Sequence, residues 1–287
     1  MTQTINRKNK KMASHFDYST LVRRNRGYIS DEAQAKIADT TLLIAGCGMG
    51  SAPATCAART GFRKFVLADG DIVDSHNLNR QFYTHADIGQ PKVDSLKRHI
   101  LEINPEAEVE AINAHLDADN IPEIVAKSDV VFDTVDFVDL PALLGLHREA
   151  ARQKKPLFTA MNVGFGALVW YIPPGSSATW PAFLAEDMEK VRKAGGDPER
   201  YADVYISFLG RLYDHLDGEV VDVIHTLLVG MKESRACPAP QLAVGSFSVS
   251  ALAMTMIHDL LAGREIVSSP SLVIQSYRSM QTRIVTI

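Results

Sequence analysis

At 287 residues the chain is long enough to bury a full core, as one large domain or two modest ones. With 46% hydrophobic residues, 22% charged residues and a formal net charge of −4, it excludes electrostatic attraction to nucleic acid or an anionic membrane as a general theme, though a local basic groove stays open. No run of about 18 uninterrupted apolar residues occurs, so no membrane span is expected, and Arg7, Lys8, Lys10 and Lys11 lack the apolar stretch of a secretory signal behind them.

Residues 1–20 are polar and predict a disordered tail. Ser30, followed by Asp31 and Glu32, predicts a capped helix start. A strand at 41–45 then feeds Gly46-Cys47-Gly48-Met49-Gly50 and a helix to residue 59. Strands at 65–68, 109–112, 130–132 and 157–160 alternate with helices at 92–102, 122–126 and 140–153. That alternation predicts parallel crossovers: an α/β fold with a doubly wound, mostly parallel Rossmann-like sheet. After a strand at 167–172 and the turn Pro173-Pro174-Gly175, the pattern changes. Residues 181–231 carry helical periodicity, the segment around Cys237-Pro238-Ala239-Pro240 must be a loop, 246–261 is a buried helix rich in small residues, and 272–287 holds one or two strands. A single domain spanning 21–287 is expected, with a nucleotide-binding core at 21–175, a helical insertion at 176–240, and a closing helix and strands at 241–287.

The glycine loop has the form that lets backbone amides approach phosphates, with the positive end of a helix dipole behind them. Gly46, Gly48 and Gly50 are therefore candidate nucleotide-binding positions, although a tight strand–helix turn with no ligand has the same sequence. Asp69 ends the second strand about 20 residues on, where an acidic side chain can hold a ribose hydroxyl. To this point an NAD enzyme and an ATP enzyme are equally well served.

Four further blocks follow in order: Asp69-Gly70-Asp71 leading into Asn77-Leu78-Asn79-Arg80-Gln81, then Gly89-Gln90-Pro91-Lys92, then Ile103-Asn104-Pro105, then Asp133-Thr134-Val135-Asp136. In content, order and spacing they resemble the ThiF/MoeB/HesA family of adenylyltransferases, related to ubiquitin-activating enzymes. The resemblance covers roughly residues 22–172, with a weaker echo at 237–263. It implies ATP and Mg²⁺ as cofactors and a reaction in which a carboxylate attacks an α-phosphate, where catalysis is mostly positioning and charge stabilisation. By resemblance Arg80 and Lys92 supply positive charge, Asn77 and Gln81 orient phosphate oxygens or the ribose, and Asp136 is the Mg²⁺ ligand. Asp136 could equally cap the next helix. Lys92 opens a helix, where the dipole disfavours a cation, and so implies an anion nearby. The family often lends an arginine across a dimer to its partner's ATP site; Arg24 or Arg26 is the expected donor, and a homodimer follows.

Three departures bear on that resemblance. The glycine loop is one residue shorter than the usual form, counted from Gly46 to Asp69. The paired CxxC motifs that bind zinc in many members are missing, so no zinc is expected. Asp136 is followed by Phe137, where asparagine is common. Cys47 and Cys56 read as packing residues, and with only three cysteines a reducing, cytoplasmic setting is expected. Cys237 lies close to where thioester- or sulfur-transferring members place their active cysteine, with Lys232 and Arg235 beside it to favour thiolate; a loop cysteine with no covalent role fits equally. His76, His85 and His99 lack metal-ligand spacing. Trp170, Tyr171 and Trp180 suit either a substrate groove or the core, and Tyr201, Tyr205 and Tyr213 a partner surface.

The function expected is ATP-dependent adenylation of a carboxylate, the acceptor being the C-terminus of a ubiquitin-like or sulfur-carrier protein or a peptide. Alternatives are an ATP-dependent cyclisation or dehydration of a tRNA nucleoside or precursor peptide without a catalytic cysteine, an NAD(P)-dependent oxidoreductase, and a nucleotide-binding partner protein without turnover.

Overall fold

The computed structural model describes residues 16–137, 139–193, 195, 208–232 and 239–287. Most of the predicted tail and Cys237, Tyr201 and Tyr205 lie outside these residues. Asp17 caps a single helical turn, α1 (Tyr18–Leu21), whose Tyr18 hydroxyl donates to the Gly61 carbonyl at 2.6 Å. The Ser30 hydroxyl accepts the Ala33 N–H at 3.1 Å and starts α2 (Asp31–Asp39).

Strand β1 (Thr41–Ala45) leads through the glycine loop into α3 (Ser51–Thr60), which stops at Gly61 in the left-handed region with φ 108°. The chain continues as β2 (Lys64–Ala68), α4 (Lys92–Ile103), β3 (Glu108–Ile112), α5 (Ile121–Ala126), β4 (Val130–Asp133), α6 (Leu140–Arg152) and β5 (Leu157–Asn162). Next come β6 (Gly166–Ile172), α7 (Trp180–Lys193), α8 (Gly218–Lys232), α9 (Ala243–Leu261), β7 (Ser271–Ser276) and β8 (Gln281–Thr286).

All eight strands form one sheet in the order β3-β2-β1-β4-β5-β6-β7-β8. The first five are parallel, as the βα alternation predicts, and β6, β7 and β8 extend the sheet as antiparallel hairpins. From β1 the chain moves outward through β2 and β3, then returns to lay β4 on the other side of β1. Strand order therefore reverses between β1 and β4, and a crevice opens beyond their carboxyl ends. The register sets Ala45 level with both Ala68 and Asp133, so the loops after β1, β2 and β4 leave the sheet at one height.

Both sheet faces are covered, which explains the continuous apolar strand sequences. Leu42 and Ile44 of β1 pack towards α2, α3, α4 and α9 with Ile37, Ala54, Leu96 and Val249. Leu43 and Ala45 face the other way, towards Leu143, Leu146, Trp180 and Leu212. Each fully buried aliphatic side chain of this kind contributes about 1.5–3 kcal/mol. Trp170, Tyr171 and Trp180 are core residues, with Trp170 edge-on to Trp180 at 5.6 Å between centroids.

Helix α9 has 19 residues and a mean hydropathy of 1.4, long and apolar enough to cross a membrane by length and composition, yet half of it is buried against the sheet and α3. Its small residues permit that close approach: Gly245, Ser246 and Ser250 face the fold, and the Ser250 hydroxyl donates to the Ser246 carbonyl at 2.8 Å.

Candidate nucleotide site

A cavity of about 450 Å³ opens at the crevice, bounded by the loops after β1, β2 and β4 and roofed by 239–241. The glycine loop enters it under tight restraint. Gly46 has φ +88°, and a β-carbon there would collide with the Thr134 carbonyl; the Thr134 hydroxyl donates to the Gly46 carbonyl at 2.6 Å. Gly50 sits against Gly46 and Ile44, so its glycine is required by packing. Gly48 lines the cavity with Gln81 across from it, a β-carbon falling 3.1 Å from Gln81 Nε2. No side chain caps the start of α3, whose cap position is Gly50, so the positive end of its dipole lies behind the glycine loop, although the Ser51 N–H is taken by the Gly48 carbonyl at 3.3 Å and Pro53 has no N–H to give.

Asp69 closes the loop from the β2 side. Its Oδ2 accepts the Cys47 N–H at 2.7 Å and its Oδ1 accepts the Asp71 N–H at 2.8 Å. Burial raises the Asp69 carboxyl above its usual range, and Lys92 opposes that shift. The same burial pushes the Cys47 thiol well up, as it does the Cys56 thiol more mildly, which keeps both protonated and inert.

Lys92 is delivered by a short antiparallel bridge between Ile72 and Pro91, with the Lys92 N–H donating to the Asp71 carbonyl at 2.9 Å. Its Nζ lies 2.6 Å from Asp71 Oδ2. The charge that offsets this helix-start cation is thus the chain's own Asp71, where the sequence alone points to a bound anion. Tyr83 braces the arrangement from below, its hydroxyl 2.8 Å from the Cys47 carbonyl and 3.2 Å from that of Lys92.

Arg80 leaves the short helical turn after Asp74 and lines the cavity opposite Lys92. Its Nη1 donates to the His76 carbonyl at 3.0 Å and to Asn79 Oδ1 at 2.9 Å. Burial draws the guanidinium below its ordinary value, and the charge of Asp136 draws it back up. Asp136 stands exposed on the cavity wall after β4. The cap of α6 is Asp139, whose Oδ1 accepts the Ala142 N–H at 3.2 Å.

Of the residues singled out from sequence, the fold brings Gly46, Gly48, Asp69, Arg80, Gln81, Lys92 and Asp136 to one cavity. Gly50 and Asn77 stand outside its lining. Asn77 is only 5% exposed and holds the loop's shape, its Oδ1 accepting the Asp74 N–H at 2.9 Å. Arg24 and Arg26 are exposed near α2, Arg26 lying 3.8 Å from Asp31, and neither lines the cavity of its own chain. Cys237 falls outside the described residues.

A profile of the ThiF family matches residues 22–287. The chain belongs to the ThiF family. The sulfur carrier protein ThiS adenylyltransferase of Escherichia coli is 30% identical over 167 residues, covering 57% of this chain and 66% of that protein. The molybdopterin-synthase adenylyltransferase of Haemophilus influenzae is 35% identical over 134 residues, covering 46% of this chain and 54% of that protein. These alignments span less than two thirds of the relatives' own lengths. In fold, the chain is similar to E. coli MccB solved with AMPCPP and MccA, with a TM-score of 0.65 at 18% identity over 88% of this chain and 65% of that one.

The cavity of this ThiF-family chain also contains residues that no motif marked. Gln241 accepts from Arg80, His115 follows β3 and lies against Gly70, and Asn162 at the end of β5 donates to the Leu242 carbonyl at 2.8 Å. Each comes from an element distant in sequence from the glycine loop, and none carries a local pattern that would announce it.

Proposed function

We propose that the chain uses ATP to adenylate a carboxylate: a carboxylate oxygen attacks the α-phosphorus, an acyl–adenylate forms and pyrophosphate leaves. The observation that carries this reading is the meeting of Arg80, Lys92 and Asp136 around the uncapped start of α3, in a chain of the ThiF family. Charge grows on the phosphate oxygens as the attack proceeds, and preorganised cations and backbone donors in a partly desolvated cleft are the groups that stabilise it. Arg80 and Lys92 provide the cations, Gly48 the close approach, and Gln81 a further amide. Asp69 orders the loop, and through it the nucleotide's sugar side.

The donor set fits Mg²⁺ carried in on the triphosphate. Asp136 is one exposed carboxylate on the wall, and among the described residues no group of three His, Cys, Asp or Glu side chains is arranged to hold a metal unaided. When bound, the ion neutralises phosphate charge; the chain's part is to offer Asp136 to it, directly or through water.

The acceptor we favour is the C-terminus of a small protein or peptide, in keeping with the sulfur carrier protein on which the E. coli relative acts. We further read residues 21–287 as one adenylation domain acting as a homodimer in the cytoplasm, with Arg24 or Arg26 reaching the partner's site. Cys237 is held in reserve for a thioester or sulfur-transfer step.

The test is ATP–pyrophosphate exchange with candidate carboxylate acceptors. Arg80→Ala and Asp136→Ala should each slow exchange by about 10²–10³-fold, the usual cost of removing one charge-stabilising group. Unchanged exchange in both variants would overturn the residue roles, and preferential binding of NAD over ATP would overturn the reaction.

A further inference from the structure

The cavity continues past the polar groups that suit a nucleotide. Asp69 and His115, after β2 and β3, lie on one side together with Lys92, whose Nζ is 2.6 Å from Asp71, and Arg80 lines the cavity within reach of the charge of Asp136, after β4. On the β4–β5–β6 side the wall becomes apolar: Phe137 from the turn after β4, Met161 and Leu168 from β5 and β6, Leu212 from the turn before α8, and Ile224 and Leu227 from α8. On the adenylation reading the nucleotide takes the polar half, so the attacking carboxylate approaches from this apolar half.

Phe137 stands at the junction, one residue beyond Asp136. It packs against Trp180 with 5.9 Å between centroids, and Trp180 is itself wedged between Phe208 at 4.2 Å and Trp170 at 5.6 Å. This aromatic layer fixes the position of the ring and gives the chamber a rigid back wall. Among the described residues, the two polar side chains lining that half already have backbone partners. Asn162 donates to the Leu242 carbonyl at 2.8 Å and accepts the Gly164 N–H at 3.2 Å, while Asp139 caps α6. A polar or charged acceptor side chain would lose its water there and find no dedicated partner among the described residues. A glycine terminus would leave the apolar wall uncovered.

We propose that the acceptor's C-terminal residue carries a bulky apolar side chain, of the Leu, Ile, Met or Phe type, which seats in this chamber and so holds the carboxylate beside Asp136 and Arg80. The inference rests on the adenylation reading and names the substrate class of that same site.

The experiment measures ATP–pyrophosphate exchange with N-acetylated peptides identical except for a C-terminal Gly, Leu, Phe or Glu, alongside calorimetric ATP binding. The Leu- and Phe-ended peptides should show a KM about 10–100-fold below the Gly- and Glu-ended ones, the range expected from burying one such side chain. Ile224→Trp, which fills the chamber from its half-buried helical side, should abolish that discrimination while leaving ATP affinity intact; Phe137→Asn should blunt it. Binding of the Leu-ended peptide in the presence of a non-hydrolysable ATP analogue should show a negative heat-capacity change that Ile224→Trp removes. Exchange that proceeds equally with Gly- and Leu-ended peptides overturns the inference and leaves adenylation standing. ATP binding without exchange for any peptide overturns the adenylation reading and the inference together.

Discussion

Arg80 donates from Nε to Oε1 of Gln241 at 2.7 Å, across 161 positions of sequence. The contact is doubled, because Asn79 Nδ2 donates to the Gln241 main-chain carbonyl at 3.0 Å. The 77–81 block therefore grips the strap that roofs the cavity, and the strap in return fixes the guanidinium. Nη2 takes no part in these bonds and, on the proposed reading, is the edge offered to a phosphate.

Gln241 thus acts as a positioning residue for Arg80. A hydrogen bond to a charged group is worth about 1.5–3 kcal/mol, so Gln241→Ala should slow pyrophosphate exchange by roughly tenfold or more, mostly in kcat. Gln241→Glu keeps an acceptor facing Nε and should recover most of the rate. Equal loss in both variants would show that the glutamine serves only to pack the strap.

Lys92 and Asp71 give a prediction with two opposite signs. The Lys92 side chain is 8% exposed and that of Asp71 is 55% exposed. Asp71→Asn strips a nearly buried ammonium of its counter-charge and should destabilise the nucleotide-free protein by about 1–2 kcal/mol, less than a fully buried pair because one partner is half in water. The same change frees Lys92 for the triphosphate, so ATP should bind more tightly and restore the melting temperature. Thermal melts with and without ATP check both signs.

Asp87 anchors the turn that carries Lys92 into place. Its carboxylate is buried, accepts the Thr84 N–H at 2.6 Å and hydroxyl at 2.8 Å, and is paired with Arg98 and with His99 at 3.2 Å. Burial alone would raise its carboxyl; the Thr84 bonds and the charges of His99 and Arg98 outweigh it and hold it below its ordinary value of 3.8. A depressed carboxyl stabilises the fold above its unfolded value, and that contribution is lost as the pH falls through the folded value. Asp87→Asn should therefore cost about 3 kcal/mol at neutral pH. The gap from the parent should narrow below about pH 4. Urea unfolding of both proteins between pH 7 and pH 3 measures it, and a gap independent of pH would show the carboxylate's charge to be irrelevant.

The elements most legible in the sequence are those whose signals are local. Strand β1, the glycine loop and α3 announce themselves within about 20 residues, and the blocks around Arg80, Lys92 and Asp136 carry their spacing with them. The split among the glycines was not legible, because Gly46, Gly48 and Gly50 look alike until Thr134 and Gln81 are set against them. Lys92 points to a bound anion, whereas the negative charge standing beside it is that of Asp71, which a neighbouring loop supplies. Gln241 and the apolar chamber were invisible for a further reason: their meaning lies in which distant elements meet, and Ile224 and Leu227 have the periodicity of any core-facing helix. Strand β6 reverses direction where a crossover rule would continue in parallel, since only the three residues Val163, Gly164 and Phe165 separate it from β5.

The grip of Arg80 on Gln241 has a consequence for the timing of activity. The glycine loop and Arg80 leave the ribosome early, but the strap that aligns Arg80 follows 161 residues later, which at about 5–20 residues per second is a delay of roughly ten to thirty seconds. Until α9 docks on α3 and draws the strap across, the nascent chain holds the parts of a nucleotide cleft without its roof. If the proposed reaction holds, competence therefore arrives only when α9 has docked, and a chain not yet made that far would not consume ATP.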